Sequence, residues 1–171
     1  MHTGGEAVRV VLGGYPLLKE ATVLDYRNYF KKNLDHLRQS LMLEPRGHAD
    51  MYGVVVVPSK RADFGVVFMH NEGYSTMCGH ATIAMTRLAI DSGWIAKVEP
   101  QTKVLIEAPC GILTAYAEVV DQQVVSVQFE NVPSFVVALD QVLEIPDLGS
   151  VRYDLAYGGA FYAFVNAIDL G

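Results

Sequence analysis

The chain has 171 residues, 51% of them hydrophobic, with 13 basic against 19 acidic residues and a formal net charge of -6. That length suits one globular domain or one lobe of a larger protein, with enough chain to bury a core. The acidic balance, with no basic cluster longer than Lys31-Lys32, argues against nucleic acid and anionic membrane as partners.

The opening MHTGGEAVRV has no cationic start followed by a long apolar run, so no signal peptide is expected. No stretch reaches the roughly 18 apolar residues that a membrane helix needs. Two cysteines, Cys78 and Cys110, are too few for a disulfide scaffold. Free thiols in a reducing compartment, the cytoplasm, are the expectation.

VRVVLGG at 8–14 reads as a short strand running into a glycine turn. Thr22, with Asp25 three residues later, makes an N-terminal helix cap. Val23, Tyr26, Phe30, Leu34, Leu37 and Leu41 then recur at helical spacing. Lys31, Lys32, Asp35 and Arg38 fall on the opposite positions, and His36 sits with them. This is read as one amphipathic surface helix with no chemistry assigned to it. EPRGHADMYG, 44–53, is a polar loop, and 52–58 and 64–70 are β-branched and aromatic strands joined by the turn SKRAD. A second loop covers 71–77. A helix follows to about Ser92, stopped by Asp91-Ser92-Gly93. The remaining strand candidates are 103–108, 112–120, 124–131, 134–139, 153–156 and 158–166. Two helices and roughly eight strands make the class α+β, with no repeat, low-complexity segment or interdomain linker.

The helix that begins near Cys78 is apolar around most of its circumference: Ala81, Ile83, Ala84, Met85, Leu88, Ala89 and Ile90. Such a helix is buried, and in a mainly β domain its place is inside a curled sheet or barrel. Its first amides lack intrahelical partners and, with the helix dipole, form an anion site. A thiol at that position is expected to have its pKa lowered. Gly79 lets a ligand approach the backbone, and His80 offers a donor or a proton relay. On spacing alone, a functional thiol and an inert buried one both fit.

MHTGGE at 1–6, EPRGHADM at 44–51 and MCGHATIA at 77–84, in that order, resemble the proline racemase family of proline racemases, 4-hydroxyproline epimerases and trans-3-hydroxyproline dehydratases. The resemblance runs along the whole chain. It implies a diaminopimelate-epimerase-like fold of two lobes, each a curled, mostly antiparallel sheet around a central helix, with the active site between them and no cofactor. It implies that Cys78 is one acid/base group and that Gly79 and His80 bind substrate. The second acid/base group would come from the other lobe, a cysteine in racemases and epimerases and a threonine in dehydratases. Residues 1–171 then correspond to the first lobe, with the C-terminal lobe absent. The implied partners are a small-molecule substrate (proline or hydroxyproline), that second lobe, and a second copy in a homodimer.

Detail in NEGYSTMCGHATIAMTR, EPRGHADMYGVVVVPS and AYGGAFYAFV is closer to the dehydratase branch. Removal of the α-proton of trans-3-hydroxy-L-proline by Cys78 and loss of the 3-hydroxyl as water would give pyrroline-2-carboxylate. Racemase or epimerase activity, and a non-catalytic lone lobe, are the alternatives. Cys110, in EAPCGILTAY, is read as a structural turn residue. Glu44, Arg46, His48 and Asp50 are read as an ion-paired loop bracing the site rather than as metal ligands. His2 and Thr3 are expected to line or support the cleft, and His70 to be structural. The glycines of YGGAFY serve either backbone packing or substrate contact.

Overall fold

The computed structural model describes residues 1–19 and 21–170. They fall into two units, Met1–Asn131 and Val132–Gly171. In the first unit β1 (His2–Thr3) and β2 (Glu6–Val11) form a hairpin. Its turn is Gly4-Gly5, with φ of 59° and 97°, the doubly left-handed geometry that glycine adopts at least cost and that matches strand twist. α1 (Val23–Asn33) starts as its sequence predicts: the Asp25 amide donates to Thr22 Oγ1 at 3.2 Å and the Thr22 amide to Asp25 Oδ2 at 2.8 Å. The single helix expected through Leu41 is instead two. Leu34, with φ -129° and ψ 19°, leaves the helical region and separates α1 from α2 (Asp35–Met42). Leu34 keeps the apolar spacing while its backbone turns, so the spacing carries no mark of the break.

β3 (Tyr52–Val57), β4 (Phe64–His70), α3 (Gly79–Asp91), β5 (Gln101–Ala108), β6 (Gly111–Val120) and β7 (Gln123–Glu130) complete this unit. The seven strands lie in sequence order in one sheet. Pairs β2–β3 and β4–β5 are parallel and the others antiparallel. Each parallel step needs a crossover, and the α1–α2 pair and α3 supply them. Alternation along β3 and β4 gives the sheet two buried faces. Val55, Val57, Val67 and Met69 pack with Tyr26, Phe30 and Met42 of the helix pair, while Val54, Val66 and Phe68 are buried on the opposite face. α3 packs against β1, β2, β3, β6 and β7, so strands from both ends of the curled sheet meet this one helix.

The second unit is a three-stranded antiparallel sheet in the order β10–β9–β8, made of β8 (Phe135–Ile145), β9 (Gly149–Tyr157) and β10 (Phe161–Val165), then a 3-10 turn at Ala167–Leu170. β8 and β9 run well beyond the short strands expected, through an irregularity where Asp140 takes φ 53°. Val151 is buried, whereas Phe135, Val142, Leu143, Phe161 (65% exposed), Phe164 and Ile168 (84% exposed) face outward. The α+β class holds, with ten strands and three α-helices among the described residues.

Candidate active site

Cys78 is the N-cap of α3. Its backbone is extended (φ -149°, ψ 111°) and its residue surface is 8% exposed. The first helical hydrogen bond runs from the Thr82 amide to the Cys78 carbonyl at 3.1 Å, so the amides of Gly79, His80 and Ala81 point out of the helix end. The two threonines that interrupt the apolar helix are fully buried. Each returns its hydroxyl to the carbonyl one turn back: Thr86 to Thr82 and Thr82 to Cys78, both at 2.8 Å. This satisfies the hydroxyls inside the core and ties the helix body to the thiol's own backbone.

His80 places Nδ1 3.5 Å from Cys78 Sγ. Its ring stands edge-on to Tyr52, with centroids 4.7 Å apart, and its Nε2 is buried with no hydrogen-bond partner among the described residues. The Thr3 hydroxyl donates to the His80 carbonyl at 2.9 Å, so the MHTGGE hairpin supports the helix mouth. A Cβ on Gly79 would lie 3.4 Å from Phe129 Cζ of β7. Glycine therefore keeps the mouth open beside an aromatic wall.

The electrostatics reverse one sequence-based expectation. The Cys78 thiol is pushed up, first by burial and then by the Glu6 carboxylate, and the Ala81 amide offsets this only in part. Magnitudes explain the outcome. A helix terminus is worth about 2 kcal/mol at most, or about 1.5 pK units, whereas full burial shifts a group by up to about 3–5 units.

Cys110 is pushed up to about 11 by burial. It sits in the β5–β6 turn, as its sequence suggests, and its amide donates to the Thr76 carbonyl at 3.2 Å, two residues before Cys78. Both cysteines are free thiols. His2 Nδ1 accepts the Gly5 amide of its own hairpin at 3.3 Å. The 44–50 loop is braced through backbone groups: Arg46 Nε donates to the Ser40 carbonyl at 2.7 Å, and His48 Nδ1 accepts the Asp50 amide at 3.2 Å. Among the described residues, no three His, Cys, Asp or Glu side chains come together to hold a metal ion. Nor is any helix long and apolar enough to cross a membrane. His70 Nδ1 accepts the Glu72 amide at 3.2 Å. Arg38, on the polar positions of the expected surface helix, is 6% exposed, its guanidinium held by Asp35.

Fold and site together define a curled sheet around a buried helix with a thiol and an imidazole at its mouth. The chain matches the proline racemase family model over residues 1–171, and it belongs to that family. It is 52% identical over 172 residues to a protein of Colwellia psychrerythraea named trans-3-hydroxy-L-proline dehydratase, covering 99% of this chain and 48% of the relative. A Burkholderia multivorans protein named 3-hydroxyproline 2-epimerase is 46% identical over 168 residues, covering 97% and 50%. The crystal structure of a hydroxyproline epimerase from Agrobacterium vitis with bound trans-4-hydroxy-L-proline superposes with a TM-score of 0.87 at 34% identity, covering 99% of this chain and 51% of that one. The chain thus spans about half the length of the curated relatives it matches.

Proposed function

We propose that this chain is the thiol-bearing half of a cofactor-independent enzyme acting on a cyclic imino acid. Cys78 is its acid/base group, and Gly79 and His80 contact the substrate. The observation that carries this is the Cys78–His80 pair, 3.5 Å apart at the open end of a buried helix. The 52% identical relative named as a dehydratase favours dehydration of trans-3-hydroxy-L-proline, and the 46% identical relative named as a 2-epimerase supports epimerisation as the second reading.

The substrate carboxylate takes the outward amides of Gly79 and His80. Cys78, with its proton passed to His80 Nδ1, removes the α-proton. The electron pair left on the α-carbon forms the ring double bond and expels the 3-hydroxyl, which departs as water with a proton delivered from across the cleft. The enamine then tautomerises to pyrroline-2-carboxylate. Substrate minus one water balances the step, so no redox partner is called for. Burial keeps the thiol protonated at rest, which makes the His80 acceptor necessary to the scheme.

The far wall of the cleft is assigned to a second lobe. The half-length match to the relatives supports this. With both thiols free, the cytoplasm is the proposed compartment. The test joins residues 1–171 to the second half of the Colwellia relative and follows dehydration of trans-3-hydroxy-L-proline. The hybrid should turn over and residues 1–171 alone should not. Turnover by residues 1–171 alone would refute the need for a second lobe.

A further inference from the structure

We propose that Arg38 and Arg27, on the α1–α2 pair, are positioning residues that hold the 70–77 approach loop and thereby set the placement of the Cys78 thiol. The inference rests on Cys78 being the reactive group. Its test is read on the thiol itself, so its failure is distinguishable from failure of the reaction assigned above.

The approach loop leaves β4 at His70 and enters α3 at Cys78 with little regular pairing of its own. His70 and Gly73 exchange backbone bonds at 2.9 and 3.3 Å, and the loop's carbonyls are also taken from outside. Arg38 Nη1 donates to the His70 carbonyl at 2.9 Å and to the Asn71 carbonyl at 2.5 Å. Arg27 donates twice to the Tyr74 carbonyl, from Nε at 3.2 Å and Nη2 at 2.6 Å. The Cys110 amide takes the Thr76 carbonyl at 3.2 Å. The Asn71 side chain reaches back to the Met42 and His48 carbonyls at 3.0 and 2.6 Å.

Arg38 is itself fixed. Asp35 grips it through two parallel bonds, Nε to Oδ1 at 2.6 Å and Nη2 to Oδ2 at 2.8 Å. Its guanidinium lies 5.9 Å from the Tyr74 ring centroid. A buried guanidinium is tolerable only when its donors are paired. Here one edge meets a carboxylate and the other meets the loop. Lysine cannot reproduce that fork. The helix pair is therefore a brace for the loop, beyond its packing on the sheet.

The experiment measures iodoacetamide alkylation of Cys78 by peptide mass, as a rate against pH, below the melting temperature of each protein. The charged and titratable groups around the thiol are Glu6 from β2 and His80 from α3, and both are left unchanged. The variants are Arg27→Gln, Arg38→Gln and Arg38→Lys. Val119→Ala, a buried residue at the far end of β6, nine positions along the chain from Cys110, is the destabilised control. The Gln variants should raise the Cys78 rate at pH 8 about tenfold or more and move its midpoint down, because an opened loop removes the burial that keeps the thiol protonated. Arg38→Lys should fail to restore the wild-type profile. Val119→Ala should lower Tm and leave the profile in place. Folded Gln variants whose rate and midpoint stay within about twofold of wild type, or a control that moves them equally, would overturn the proposal. If Arg38→Gln does not fold, Arg27→Gln decides by the same criterion.

Discussion

The pH profile of the two thiols tests how burial and the helix mouth compete at Cys78. An ordinary thiol with a pKa near 8.5 is about 3% thiolate at pH 7. Burial pushes Cys78 above that and Cys110 to about 11. Alkylation of the wild-type chain should therefore be slow at neutral pH and rise about tenfold per unit through pH 9, with Cys110 reaching half its plateau last, near 11. The same shifts govern stability. Both folded pKa values lie above the unfolded value of about 8.5, so as pH rises the unfolded chain gives up its thiol protons first. By linkage the contribution is intact below about pH 8.5 and is lost as pH climbs through the folded values. Tm should fall across that window, and Cys110→Ala should flatten its upper part. A Cys78 midpoint at or below pH 7 would show instead that the helix terminus outweighs desolvation.

Gly79→Ala should change stability by no more than about 1 kcal/mol, since a helical alanine gains what a 3.4 Å approach to Phe129 costs. In the assembled enzyme it should raise the KM for trans-3-hydroxy-L-proline about tenfold, or 1.4 kcal/mol, because the methyl occupies the helix mouth. An unchanged KM would show that the mouth does not hold substrate. Phe30→Ala removes a fully buried ring packed 4.6 Å from Tyr15 and 5.8 Å from Tyr26, centroid to centroid. It should cost about 3–5 kcal/mol in urea unfolding, and a loss below about 2 kcal/mol would contradict the packing of the helix pair.

The thiol's position was legible because its signals are local: a polar loop, Cys-Gly-His, and an apolar run of helical length. The strands of the first unit were legible for the same reason. The order of the sheet was not, since pairing β2 with β3 depends on the chain between them crossing over. The full length of β8 is not legible in sequence because Asp140, Gln141 and Glu144 break its alternation and both its faces stay exposed, leaving no buried side to write a pattern. The burial of Arg38 was hidden too. An Asp and an Arg three apart on a helix look like a solvated pair, and only the loop that folds over them shows otherwise. The Cys78 pKa was misjudged because the helix terminus is visible in sequence while the depth of the thiol is not.

Removal of the substrate's α-proton by Cys78 is the step on which the proposed function turns. Its most direct measurement is the dehydration rate of trans-3-hydroxy-L-proline by the hybrid enzyme with and without Cys78→Ala, with Cys110→Ala as control. Cys78→Ala should lose at least about three orders of magnitude, roughly 4 kcal/mol of barrier, and Cys110→Ala should retain activity. A Cys78→Ala hybrid that dehydrates substrate at the parent rate would contradict it.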